Sequence, residues 1–258
     1  MKETFLKFIR SFFKKNLYIQ KSGLAKGFQR EGGLGFLPKL AVSLEEQFLL
    51  ELNLSGKTVY DIGGWEGIFA LFFSRSVGGT GNVYTFEVNP INFTKINRNI
   101  DLNKISNVNV YNIGLGSQIS KSIFKYSTLD TARGSFDKEI QDTFVGTIAS
   151  VEIEVNTLDE VQSKMSLKSP HFIKIDTEGF EYDILLGMKN ILTTVYPDIF
   201  LEIHGNDQTY KAKNLLNIVQ YLTVYNYSFY HIETKEYLNT DRLKEYNGGH
   251  FYCCVHKK

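Results

Sequence analysis

From residue 57 onward the chain alternates short β-rich runs, many ending in Asp, Glu or Gly, with stretches of helical period. This alternation constrains the fold most: strands separated by helices pair through crossovers, which builds a wound, mostly parallel α/β sheet. The pattern predicts strands near 57–62, 82–87, 107–113, 171–176, 198–204, 226–232 and 250–256, with helices near 66–77, 90–103, 179–192 and 209–224. Two segments break the rhythm. Residues 115–157 lack helical period, and Val151-Glu152-Ile153-Glu154-Val155 alternates like an exposed antiparallel strand, so a β insert is expected there. Residues 233–249 are too short and polar to fix a crossover helix, which leaves the last two strands free to pair antiparallel.

Ahead of this domain (residues 56–258), residues 1–55 read as a mostly helical extension, with apolar residues at 5, 8, 9, 12, 13 and at 44, 48, 49, 52 around a glycine-rich stretch, 27–35. The first of these helices carries Lys7, Arg10, Lys14 and Lys15 beside its apolar face. It suits docking on the core or on a second subunit, giving a homo-oligomer; peripheral contact with an anionic membrane is the alternative. These lysines also interrupt any signal-peptide core, and no apolar run reaches the ~18 residues of a membrane span. With 29 basic against 28 acidic residues there is no electrostatic case for nucleic acid. The two cysteines, Cys253 and Cys254, are adjacent and cannot clip distant segments together, which fits a reducing, cytoplasmic setting.

The first strand, Thr58-Val59-Tyr60-Asp61-Ile62, runs into the turn Gly63-Gly64-Trp65-Glu66-Gly67 and then a helix. Ligands of open α/β sheets bind at this edge. The turn is not a dinucleotide G-x-G-x-x-G, and the carboxylate of Asp61 is a poor neighbour for phosphate but a good one for a cationic ligand. S-adenosylmethionine is such a ligand, and Gly63 and Gly64 would let it lie against the backbone; a plain strand-to-helix turn has equal weight. The second strand delivers Glu87 to the same edge, where a carboxylate can accept both hydroxyls of a ribose. Asn112 and Gly114, after the third strand, are candidates for reading an adenine edge.

These blocks resemble the FkbM-type methyltransferases, a branch of the class I S-adenosylmethionine-dependent enzymes. The resemblance spans roughly 57–204 and rests on Val59–Gly67, Tyr84–Pro90 with Asn97-Arg98-Asn99 and Asn103, Asn156–Asp159, Phe172–Leu185 and Pro197–His204. It implies a Rossmann-like core of seven mostly parallel strands with helices on both faces. It also implies cofactor positions at Asp61, Gly63 and Glu87, and O-methylation of sugar, lipopolysaccharide or polyketide hydroxyls. Two blocks depart from the usual pattern: Gly64 and the bulky Trp65 stand where a small residue and then often Asn are usual, and Val88 stands where proline is usual.

The fourth strand delivers Asp176, followed by Glu178 and Glu181, and the fifth delivers Glu202 and His204. His204 is the candidate general base, since its ordinary pKa lies near neutrality; a purely loop-holding histidine has equal weight. Asp176 could serve as base or contact the cofactor, and Glu202 completes the catalytic set. A divalent cation held by Asp176, Glu202 and His204 is an unfavoured alternative, because hydrogen bonds explain clustered carboxylates as well. Lys174, mid-strand, is expected to pair with an acid such as Glu202. Glu178 and Arg133, the latter within an insert that also holds Tyr126, Thr128, Asp130, Ser135 and Phe136, are candidates for binding a hydroxylated small-molecule or glycan acceptor. A non-catalytic scaffold and a dinucleotide-dependent oxidoreductase are the rival readings.

Overall fold

The computed structural model describes residues 15–39, 41–128, 131, 134–136, 141, 147–205, 207–243, 245–246 and 248–255. Its N-terminal part is helical at the expected 44–52 face, but a hairpin precedes that helix. Leu17–Ile19 (β1) and Gln29–Glu31 (β2) form an antiparallel hairpin before the helix Leu44–Glu51 (α1). Alternation explains the hairpin: Tyr18 and Arg30 face inward, while their neighbours are more exposed. Residues 1–14, including Lys7, Arg10 and Lys14, lie outside the described residues. Ser43 caps α1 through a capping box with Glu46.

The domain then runs Thr58–Ile62 (β3), Ile68–Val77 (α2), Asn82–Phe86 (β4), Pro90–Leu102 (α3) and Val108–Tyr111 (β5). An insert follows, comprising Gly114–Leu115 (β6), Ser120–Ser127 (β7), Gly134–Ser135 (β8) and Ile148–Asn156 (β9). Leu158–Lys164 (α4), Phe172–Ile175 (β10), Glu181–Leu186 (α5), Lys189–Thr194 (α6), Asp198–Ile203 (β11) and Gln208–Val224 (α7) return the chain to the main sheet. Tyr227–His231 (β12), Glu236–Leu238 (β13), Thr240–Leu243 (α8) and Gly249–Val255 (β14) complete it.

The main sheet has the order β13-β12-β14-β11-β10-β3-β4-β5. Strands β11, β10, β3, β4 and β5 are parallel, and β14 inserts antiparallel between β11 and β12. All seven expected strands are present; β13 adds a short edge strand where residues 233–249 turn back. The insert folds as a separate sheet, β6-β9-β7-β8. Its strand β9 shows the exposed alternation read at Val151–Val155.

Each central strand is buried along its length, as a sheet covered on both faces requires. One apolar layer contains Ile62, Ile173, Ile199 and Leu201; the other contains Val59, Phe73, Phe172 and Phe200. The helix expected over 179–192 is two helices. A Cβ on Gly187 would fall 2.0 Å from the Gly116 carbonyl, so the helix ends where it meets the insert. The Asp159 carboxylate then caps α6, accepting from the amides of Asn190 (2.7 Å) and Ile191 (3.0 Å).

Candidate active site

The carboxyl ends of β3, β4, β10 and β11 open onto a cavity of about 270 Å³. Its wall includes Gly63, Trp65, Glu87, Asp176, Glu178 and His204, with Ile113, Gly114, Phe136 and Phe180 on the apolar side. The parallel register produces this convergence, because each strand delivers its last residues at the same edge of the sheet.

Gly63 has a φ of +83°, and a Cβ there would lie 1.8 Å from the Asp176 carbonyl, so only glycine allows β3 and β10 to approach as they leave the sheet. Glu87 is almost fully buried. Its Oε2 accepts from the Trp65 amide and its Oε1 from the Asn89 amide, both at 2.7 Å, which ties the glycine turn to the start of α3. Burial pushes this carboxyl up to about 7 against the pull of the two amides. Trp65 itself is held at φ 45°, a costly conformation for a bulky residue.

The structure places several expected cofactor residues elsewhere. Asp61 is fully buried and does not line the cavity; its Oδ1 lies 3.4 Å from the Lys174 ammonium and its Oδ2 accepts from the Thr85 hydroxyl at 3.3 Å. Gly64 faces the protein interior, where a Cβ would strike Thr85 and Ile96. The side-chain amide of Asn112 donates to the carbonyls of Glu87 (2.8 Å) and Val88 (3.0 Å), so it braces the acidic loop and stays off the cavity wall. Gly114 does line the cavity, against the Phe136 ring. Within the insert, Ser135 and Phe136 reach the cavity, whereas Arg133 and Asp130 lie outside the described residues.

Lys174 bears out the expected pairing with an acid, though not with the acid named. It does not pair with Glu202: it lies between Asp61 and Asp176 (Oδ2 at 3.1 Å), donates to the Gly63 carbonyl at 2.9 Å, and sits 4.1 Å from the centre of the Phe69 ring. Burial opposes its charge, but Asp176 and Asp61 more than compensate and hold it as an ammonium. Of the two acids beside Lys174, Asp176 is the one that lines the cavity, with Asp61 paired behind it.

Asp176 also accepts through Oδ1 from His204 Nε2 at 2.9 Å, and Glu202 Oε1 lies 3.5 Å from the same nitrogen. Burial disfavours the imidazolium, yet Glu181, Glu178, Asp176 and Glu202 together raise the His204 pKa. Glu181 is buried at the start of α5, bonded to Asn214 (2.7 Å) and the Gly179 amide (3.2 Å), and burial lifts it to about 7. One ligand atom from each of Asp176, Glu202 and His204 falls within a 4.8 Å cluster. Lys174 pairs with Asp176 there, and His204 Nε2 lies within reach of both Asp176 and Glu202, so ion pairing and hydrogen bonding join the group.

The eight-stranded order with one antiparallel insertion and a strand-end cavity bearing Glu87 and Asp176 define a class I methyltransferase architecture. A Methyltransferase FkbM domain model matches residues 61–229, and the chain belongs to the FkbM methyltransferase family. Among relatives, it is 28% identical over 171 residues to the hexuronic acid methyltransferase AglP of Haloferax volcanii, an alignment covering 66% of each protein. It is 25% identical over 173 residues to Methyltransferase 1 of Beauveria bassiana, covering 61% of this chain and 69% of that one. The chain thus spans about two thirds of the length of these curated relatives. Its fold is similar to that of the FkbM methyltransferase from Methylobacillus flagellatus (TM-score 0.51, 18% identity, 78% of this chain and 45% of that one). It is also similar to an O-methyltransferase from Bacillus cereus solved with S-adenosylhomocysteine (TM-score 0.50, 15% identity, 86% and 84%).

Proposed function

We propose that the protein is an S-adenosylmethionine-dependent O-methyltransferase whose acceptor is a hydroxyl of a sugar, glycan or related small molecule. The observation that carries this reading is that an oriented histidine and a cofactor cradle share one cavity: His204 with Asp176 on one side, Gly63 and Glu87 on the other. The cavity suits the cofactor's parts. Glu87 retains lone pairs for ribose hydroxyls after its two amide bonds, Ile113 and Phe180 offer apolar surface to a purine, and Asp176 and Glu178 favour a cation over a phosphate. When bound, S-adenosylmethionine supplies the electrophilic methyl group.

The chain's own groups then manage the proton. Asp176 and Glu202 both face His204 Nε2, which keeps hydrogen on that nitrogen and leaves Nδ1 as the basic atom. With an acceptor hydroxyl beside it, Nδ1 would take the hydroxyl proton during methyl transfer, and Asp176 and Glu202 would stabilise the resulting imidazolium. Orientation of acceptor and methyl group within one cavity supplies much of the remaining rate. The name of the Haloferax relative supports a uronic sugar as the first acceptor to try.

The test is transfer of label from methyl-labelled S-adenosylmethionine to uronic acid glycosides and neutral hexosides, with and without EDTA. An alkali-stable methyl ether is expected, formed equally in EDTA. His204→Ala should abolish its formation while S-adenosylhomocysteine still binds; full turnover by that variant would remove His204 from the reaction.

A further inference from the structure

A second imidazole lies across Glu202 from His204. His250 on β14 is the cross-strand partner of Glu202 on β11. Its Nε2 lies 3.5 Å from Glu202 Oε2, while the other oxygen, Oε1, is the one that faces His204. One carboxylate thus bridges two histidines. The far side of His250 is anchored: Nδ1 lies 2.6 Å from Glu233 Oε1, and the His250 amide donates to both oxygens of Glu233 at 3.1 and 3.2 Å. Glu45 of α1 comes within 3.8 Å of Nε2. Glu233 also meets His231 Nε2 at 3.0 Å. Gly249, at φ +108°, makes room, since a Cβ there would stand 2.8 Å from His231 and 3.1 Å from Glu233.

The charges around the two rings differ. His250 is faced by Glu202, Glu233 and Glu45. His204 is faced by Asp176, Glu202, Glu178 and Glu181, with Lys174 drawing on Asp176 from behind. A base surrounded by that much negative charge would hold its proton too firmly to take another from an acceptor near neutral pH.

Resting on the reading of His204 as the base, we propose that His250 is a positioning residue which keeps that base usable: as a fixed cation on the far oxygen of Glu202, it divides the carboxylate between two rings and weakens its hold on the His204 proton. The electrostatics agree. Burial disfavours charge on His250, but its bonds to Glu202 and Glu233 hold its pKa up at about 10, and Glu202, which burial alone would raise, is drawn down to about 2 chiefly by His250. The bridging pair stays ionised across the working pH range. Removing the His250 charge acts in one direction, because the lost cation and the undivided carboxylate both stabilise a protonated His204.

The experiment is a pH titration of the histidine ring nitrogens by ¹⁵N NMR on the full chain with S-adenosylhomocysteine present, which needs no acceptor. His250→Gln is expected to raise the His204 midpoint by on the order of one pH unit. His250→Lys, which restores a cation, should return it toward the wild-type value. In a Glu202→Gln background the effect of His250→Gln should fall by half or more, since the bridge is gone. An unmoved or lowered midpoint in His250→Gln, or an undiminished effect without the Glu202 carboxylate, would overturn the proposal. Wild-type protein gives an independent reading should the Gln variant not fold: His250 must carry protons on both ring nitrogens at pH 8, and a neutral ring there also defeats the idea. Failure of the base reading is separate, since it shows as turnover by His204→Ala whatever these midpoints do.

Discussion

At the residue scale, the site rests on carboxylates whose neighbours give them different tasks. Glu87 sits near 7 because burial outweighs two backbone amides. Ribose hydroxyls donate better to the ionised form, so S-adenosylhomocysteine should bind more tightly as pH rises from 6 to 8, and Glu87→Gln should flatten that dependence while weakening binding about 10–100-fold; calorimetric titration across pH reads both effects. Asp61 and Lys174 form a fully buried pair. Lys174→Met strands the Asp61 charge and should cost about 3–5 kcal/mol in urea unfolding, with Lys174→Met/Asp61→Asn recovering part of the loss. The sequence showed the acids because strand ends are legible from pattern. It did not show their partners: Lys174 lies opposite Asp61, and His250 opposite Glu202, only once strands far apart in the chain take their register.

At the scale of elements, the helices and strands of the Rossmann-like core follow from periodicity, whereas two departures depend on tertiary contact. The β1–β2 hairpin, in a segment expected to be mostly helical around its glycine-rich stretch, forms because Arg30 reaches Glu66 (3.1 Å) in the glycine turn, and the side-chain oxygens of Asn99 on α3 and of its C-cap Asn103 accept from the amides of Glu31 and Gln29, each at 2.9 Å. The helix break at Gly187 answers to the insert. The insert closes the apolar side of the cavity through Phe124 and Phe136, whose ring centres lie 5.1 Å apart, and Phe136 meets Phe180 at the start of α5 at 5.3 Å. At the crossing of β3 and β10, Gly63→Ala would force its methyl into the Asp176 carbonyl at a positive φ. It should lower stability by more than the ~1–2 kcal/mol of the backbone conformation alone and remove detectable S-adenosylhomocysteine binding, as thermal unfolding with and without that compound would show.

At the scale of the whole molecule, the Glu202–His250 bridge ties β11 to β14 and makes stability depend on pH in both directions. Glu202 titrates lower in the folded protein than when unfolded, so its contribution is present above about 4.5 and is lost as pH falls toward about 2. His250 titrates higher, so its contribution is complete below 6.5 and is lost as pH rises through about 10. Melting temperature should therefore fall more steeply between pH 7 and 10 in the wild type than in His250→Gln, by on the order of 5 °C. No described helix is long and apolar enough to cross a membrane. That the cavity is a cofactor site is tested most directly by calorimetric titration with S-adenosylhomocysteine, with NAD as control and Glu87→Gln alongside. The structure predicts one binding event per chain for S-adenosylhomocysteine, none for NAD, and a weaker event in the variant. Binding of NAD, or no binding of S-adenosylhomocysteine, would contradict it.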